Sequence, residues 1–206
     1  GKPFAYVSGS QGFYHLDFKV SPATLIPRPE TELLIDIAVE LFESNQKIHV
    51  LDLGTGSGII AITLADKCPS WQLSATDKSN DALKIAKLNA IRKIDFYCGN
   101  WFEALPNKKF DLIISNPPYI AENDPHLEDL KHEPIEALIS GNDGLDDIRE
   151  IIKQAPQYLN PGGYILLEHG YNQKIKITKL LENSFTNIKT YKDYNNIDRA
   201  ILAQYS

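Results

Sequence analysis

Apolar and polar positions alternate along the chain with two periods, and each switch of period marks an element. Leu16, Phe18 and Val20 alternate with Asp17 and Lys19, which predicts a strand or hairpin within an aromatic, glycine-bearing opening stretch. From Pro29 the period lengthens. Leu33, Leu34, Ile37, Ala38 and Leu41 make the buried stripe of a helix expected to reach about Glu43, with Pro29 suiting its start and Glu30 and Glu32 its first turn. Residues 48–65 read as strand, glycine loop and helix. A strand over residues 71–77, a helix through Ala82, Ile85, Ala86 and Leu88, and a strand near 94–98 follow. Leu112, Ile113 and Ile114 form a β-branched run typical of a parallel strand buried on both faces. Residues 121–142 have little apolar periodicity, as expected of a lid or binding loop, with Glu133-Pro134 and Gly141 to Gly144 as its fixed points. His126 and His132 lack the spacing of a triad or metal site and are expected to be solvated. A helix over 145–158, a turn at 160–163, a strand over 164–169, a helix over 174–181 and strands near 188–194 and 199–203 complete the pattern. Strand and helix alternate, which predicts one doubly wound α/β domain over residues 29–206, preceded by a hairpin and linker over residues 1–28.

Composition narrows the class. With 206 residues and 43% hydrophobic content the chain can bury a full core. A net charge of −6 argues against a domain whose affinity comes mainly from neutralising phosphates. No apolar stretch has the length of a membrane span and no signal peptide is visible, and Cys68 and Cys98, with no ligand-like spacing, read as reduced core residues, so a cytoplasmic setting is expected. No Cys, His and carboxylate cluster suggests a metal. The chain opens on Gly1 and contains no Met, from which a natural start upstream of Gly1 is expected.

The chemistry concentrates at strand ends. Asn116-Pro-Pro-Tyr119 closes the run that begins at Phe110. Two prolines stop the strand, and Asn116, preceding one of them, is pushed to an extended backbone at the carboxyl end of the strand, where open α/β sheets bind ligands. The Asn116 amide, the Pro117 carbonyl and the Tyr119 ring together suit a planar group carrying an NH2. Asp52-Leu-Gly-Thr-Gly-Ser-Gly58 is a glycine loop between strand and helix, and Gly54, Gly56 and Gly58 allow a tight turn and close ligand approach. Its third glycine comes one residue early for the dinucleotide fingerprint, which counts against NAD. Asp52 would repel phosphate and attract an ammonium group. Asp77 falls about 20 residues later, where a carboxylate accepts from a ribose diol; its alternative role is to cap the next helix. Asn100 and Trp101 suit an adenine, although an isolated Trp is more often core filler. Arg28, between two prolines, is expected to be a positioned contact rather than a solvated turn residue.

Taken together these residues resemble the class I S-adenosylmethionine-dependent methyltransferases and, more narrowly, the HemK-type glutamine N5-methyltransferases of peptide-chain release factors. The resemblance runs from Pro3 to Leu202 and rests on Leu25-Ile-Pro-Arg-Pro-Glu-Thr-Glu32, the glycine loop, Trp101-Phe102, Asn116 to Tyr119, Glu133-Pro134 and Asp143-Gly144. It implies a seven-stranded Rossmann-like sheet with the last strand pair antiparallel. It also implies that Asp52, Gly54, Thr55, Gly56, Ser57, Gly58, Asp77, Asn100, Trp101 and Asn116 bind S-adenosylmethionine. Asn116, Pro117 and Tyr119 would be catalytic, with Pro118, Arg28 and Glu30 beside them on the substrate, a glutamine of the release factor's Gly-Gly-Gln motif. The implied protein is a cytoplasmic monomer with no nucleic-acid or membrane partner. The family usually has Asp where this chain has Asn100, and it carries a small helical N-terminal domain that is not seen here. Asn-Pro-Pro-Tyr alone also fits N6-adenine and N2-guanine nucleic-acid methyltransferases; those should show a basic face. Ribosomal-protein glutamine methyltransferases typically break the Arg-Pro-Glu-Thr-Glu run.

Overall fold

The computed structural model describes residues 1–206. Its centre is a mixed sheet of seven strands: β3 (His49–Leu53), β4 (Gln72–Asp77), β5 (Asp95–Cys98), β6 (Phe110–Ser115), β7 (Leu159–Glu168), β8 (Phe185–Lys192) and β9 (Asp198–Tyr205). Their spatial order is β5-β4-β3-β6-β7-β9-β8. The first five are parallel neighbours, while β9 runs antiparallel to both β7 and β8. The chain leaves β3 toward β4 on one side and later returns with β6 on the other, so the strand order reverses between β3 and β6. Ligands of open α/β sheets bind at the carboxyl ends of strands at such a point.

Side chains along the central strands point alternately to two apolar layers. Val50, Leu112, Ile114, Leu166 and Leu202 enter the layer shared with α2 (Glu32–Leu41) and α3 (Ile59–Lys67). Leu51, Leu53, Ile113, Ile165, Leu167 and Ile201 enter the layer shared with α5 (Asp146–Gln154) and α6 (Lys174–Leu181). Between β4 and β5 lies α4 (Asn80–Asn89), whose N-cap Ser79 accepts from the Ala82 amide. A two-stranded antiparallel hairpin, β1 (Ser10–Phe13) with β2 (Leu16–Lys19), places Phe13 and Phe18 in the first layer. It follows α1 (Phe4–Ser8), a short helix that the sequence pattern does not announce.

Several boundaries differ from expectation. Pro29–Thr31 forms a 3₁₀ turn ahead of α2, and the helix buries Ile35 where the stripe named the half-buried Leu33. The helix after residue 145 ends at Gln154, and a 3₁₀ turn covers Ala155–Gln157. The Asn160-Pro-Gly-Gly segment lies within β7. It bulges there, because Phe110 pairs with Leu159 and Leu112 with Tyr164, leaving four residues opposite one. Residues 121–142 contain two 3₁₀ turns, Pro125–Leu130 and Ile135–Ala137. His126 is exposed as expected, but His132 is half-buried. Cys68 is buried and Cys98 is exposed, at the end of edge strand β5, so only the first is a core cysteine.

Candidate active site

A cleft of about 310 Å³ opens at the carboxyl ends of β3, β4 and β6. Its floor is the glycine loop. Gly54 has φ +68°, and a Cβ there would sit 3.1 Å from the Trp101 ring, so the indole lies directly against bare backbone. Gly58, the N-cap of α3, has φ +89°, a left-handed backbone that favours glycine, which explains the early third glycine. Gly54, Thr55, Gly56 and Ser57 line the cleft; Gly58 does not. Asp52 also stands behind the loop, fully buried and away from the cleft wall. Its Oδ2 accepts from Thr55 Oγ1 at 2.6 Å and from the Ala61 amide at 3.2 Å, so this carboxylate braces the loop to the first turn of α3. Its Oδ1 has no partner, and burial pushes its pKa up to about 7.

The adjoining wall comes from β4 and the turn after β5. Asp77 Oδ2 accepts from the Gly56 amide at 2.9 Å and Oδ1 from the Ser79 amide at 2.8 Å. It therefore ties the glycine loop to the start of α4 while lining the cleft, and the capping role open to it falls to Ser79. Burial raises its pKa, and the two amides pull it back. Trp101, with φ +47°, belongs to the second apolar layer and also faces the cleft; its Nε1 donates to Asp147 Oδ1 at 3.2 Å. Asn100 beside it is exposed.

At the far end of the cleft stand Asn116 and Pro118. Asn116 Nδ2 donates to Thr31 Oγ1 at 3.0 Å, and Oδ1 takes part in no hydrogen bond within the protein and is not buried. The Pro117 carbonyl likewise has no internal donor. The other end of the tetrapeptide is clamped: Gln173 Nε2 donates to the Tyr119 carbonyl at 2.9 Å, and a Cβ on Gly144 would lie 2.3 Å from that oxygen. Tyr119 lies outside the cleft lining, with its O–H donated to Glu168 Oε1 at 3.1 Å. Burial holds its phenol far above the usual range. Glu168 in turn accepts from Thr31 Oγ1 at 2.7 Å, and burial pushes its pKa up to about 7 against the pull of Thr31 and Arg199.

A roof comes from the long loop through Pro134, Glu136 and Ala137. The buried Glu133 fixes it, accepting from the Ile26 amide at 2.9 Å and from the Arg28 guanidinium. Arg28 is thus a positioned contact that also lines the cleft, whereas the half-buried Glu30 does not reach it. Lys78 Nζ and Glu136 Oε2, 3.8 Å apart, bridge the cleft mouth.

A family profile described as the methyltransferase small domain matches residues 31–198. The chain is 44% identical to a release factor glutamine methyltransferase of Coxiella burnetii, an alignment covering 99% of this chain and 76% of that protein. It is 46% identical to one from Xylella fastidiosa over 99% of this chain and 77% of that protein. The chain belongs to the release factor glutamine methyltransferase family. Among solved structures, a T. thermophilus 16S rRNA methyltransferase determined with AdoMet and guanosine shares the fold at TM-score 0.73 and 21% identity, over 96% of this chain and 50% of that one. A methyltransferase from Pyrococcus furiosus does so at TM-score 0.69 and 18% identity, over 93% and 89%. The chain thus has the Rossmann-like methyltransferase fold.

Two site residues escaped the sequence reading as individuals. Thr31 sits inside the Arg-Pro-Glu-Thr-Glu run, and Glu168 is an acid ending an otherwise apolar strand. That position was the available signal, since a buried carboxylate needs partners.

Proposed function

We propose that this methyltransferase moves a methyl group from S-adenosylmethionine to the side-chain amide nitrogen of the glutamine in the Gly-Gly-Gln motif of peptide-chain release factors. The observation that carries the reading is the state of Asn116: its NH2 is committed to Thr31, and its carbonyl oxygen is left uncommitted at the cleft. Pro117, which follows it and is itself buried outside the cleft lining, has a carbonyl without an internal donor, and in this reading it is the second acceptor for the two N–H groups of a primary amide.

The residues present fit the cofactor. Trp101, packed on the bare backbone of Gly54, presents an aromatic surface to a flat group in the cleft, and Asp77 offers carboxylate oxygens to a diol. Neither Asp77 nor the buried Asp52 favours a pyrophosphate there. Ser57 and Thr55 complete the floor, and Asn100, being neutral, offers an amide to the adenine edge. S-adenosylmethionine, when bound, supplies a methyl group on a positively charged sulfur and leaves as the neutral thioether S-adenosylhomocysteine.

An amide nitrogen is a poor nucleophile because its lone pair is delocalised into the carbonyl. Asn116 Oδ1 and the Pro117 carbonyl each accept one N–H, which orients the nitrogen and stabilises the positive charge that grows on it. Those contacts strengthen as charge develops, which is the condition for lowering the barrier. The Tyr119 phenol stays protonated and bound to Glu168 outside the cleft lining, so it braces the tetrapeptide and is not a base. Once it carries the methyl the cationic nitrogen is strongly acidic and sheds its proton to water, restoring the neutral amide. Arg28 and Pro118 bound the substrate end of the cleft, and Glu30 lies just outside it, available to the protein substrate.

In this reading residues 29–206 are the methyltransferase unit and residues 1–28 its linker segment, and the enzyme works as a cytoplasmic monomer. A transfer assay with labelled cofactor tests the substrate: label in the release factor supports it, and label only in DNA, rRNA or ribosomal protein overturns it. Sedimentation of the purified chain tests the oligomeric state.

A further inference from the structure

Thr31 and Glu168 meet only through the fold, since one closes the 3₁₀ turn before α2 and the other ends β7. They are 0% and 1% exposed, so their hydrogen bonds have no competition from water. Ionised, Glu168 can only accept, so the single hydroxyl proton of Thr31 goes to it, 2.7 Å away. The Thr31 oxygen is then left as an acceptor, and the Asn116 amide turns its NH2 toward it at 3.0 Å. We propose that Glu168 and Thr31 are positioning residues that, by this fixed sequence of donors and acceptors, hold the Asn116 carboxamide with its oxygen toward the substrate nitrogen. The proposal rests on Asn116 being the acceptor described above.

The alternative rotamer shows what the relay prevents. An Asn116 amide turned by 180° about its last bond would present NH2 to the NH2 of the substrate, donor against donor. Rotating an amide changes its shape very little, so packing alone cannot choose between the two. Hydrogen-bond polarity does. The groups facing Glu168 agree with its role as acceptor: Thr31 from the turn before α2, Tyr119 from the segment after β6 and Arg199 from β9, against which burial and, less, the like charge of Glu30 act. Arg199 is itself held by Asp193 at 3.2 Å.

Thr31→Val keeps the shape of the side chain and removes its hydroxyl; Thr31→Ser keeps the hydroxyl. With a release factor and S-adenosylmethionine as substrates, Thr31→Val is expected to lower kcat by about 10- to 100-fold, the scale of a mispositioned reacting group. The KM for the release factor and the cofactor affinity by calorimetry are expected to stay near those of the parent, and Thr31→Ser to recover most of kcat. Side-chain amide signals of 15N-labelled Asn116 add a readout free of catalysis: slow proton exchange in the parent, fast exchange in Thr31→Val. Parental kcat in Thr31→Val, or a Thr31→Ser enzyme as slow as Thr31→Val, overturns the relay. Should Thr31→Val not fold, unprotected Asn116 amide protons in the parent overturn it equally. Loss of activity in Asn116→Ala with full activity in Thr31→Val refutes the relay alone, whereas full activity in Asn116→Ala refutes the underlying assignment of the acceptor.

Discussion

Replacing Asn116 by Ala removes one of the two acceptors proposed for the reacting nitrogen and little else. The amide makes a single hydrogen bond within the protein, to Thr31, and Thr31 keeps its stronger bond to Glu168. One neutral hydrogen bond contributes about 1 kcal/mol to stability, and for a domain of this size that lowers Tm by about 2–4 °C. The effect on the reaction is larger. A preorganised dipole aimed at developing charge contributes on the order of 10²–10³ in rate, or ~2.7–4 kcal/mol of transition-state stabilisation. Asn116→Ala is therefore expected to bind S-adenosylmethionine almost as the parent does, because Asp77 and the glycine loop are untouched, and to turn over about 10²–10³ times more slowly. Calorimetry with the cofactor and single-turnover transfer to a release factor measure the two quantities separately. A variant with near-parental turnover, or one whose main defect is cofactor affinity, would refute the reasoning.

Asp77→Ala takes away both the proposed ribose acceptor and the brace between Gly56 and Ser79, and it should weaken cofactor binding by about 10- to 100-fold, as loss of charge-assisted hydrogen bonds does; unchanged affinity in a calorimetric titration would remove Asp77 from the site. Gly54→Ala forces a side chain onto φ +68° and against the indole of Trp101, so cofactor affinity and Trp fluorescence should change together, and a silent variant would contradict the close approach described. Stability should fall as pH rises toward neutrality. Asp52 and Glu168 have pKa values raised from 3.8 and 4.5 to about 7, so between those limits the folded chain holds more protons than the unfolded one. The stabilisation from these two groups is complete below their unfolded values and is lost as pH climbs through about 7, each contributing a slope of at most ~1.4 kcal/mol per pH unit. Chemical denaturation across this window checks the sign, and Asp52→Asn should flatten the slope.

The fold and the ends of the cleft were legible because they follow from local rules. The apolar run ending in two prolines, the glycine loop and the acid that closes β4 each need only strand periodicity and turn chemistry to be read. Arg28 was also legible as a positioned contact, since two prolines left it little freedom. What was not legible is long-range polarity. That Asp52 would turn inward to Thr55 and Ala61 depends on how α3 packs, and that Thr31 and Glu168 would meet depends on α2 crossing the end of β7. Local patterns also misplaced Cys98, because period-2 reasoning cannot tell an edge strand from a central one. The Asn160-Pro-Gly-Gly segment looked like a turn from its residues; pairing with β6 on both sides makes it a bulge within a strand.

The central claim is that the two carbonyl acceptors at Asn116 and Pro117 present a glutamine amide for methylation. Tandem mass spectrometry of a release factor incubated with the enzyme and S-adenosylmethionine tests it most directly. The account predicts one added methyl, on the side-chain nitrogen of the Gly-Gly-Gln glutamine, and none when the enzyme carries Asn116→Ala over the same interval. A methyl on any other residue, or the same modification made at full rate by the Asn116→Ala enzyme, would contradict it.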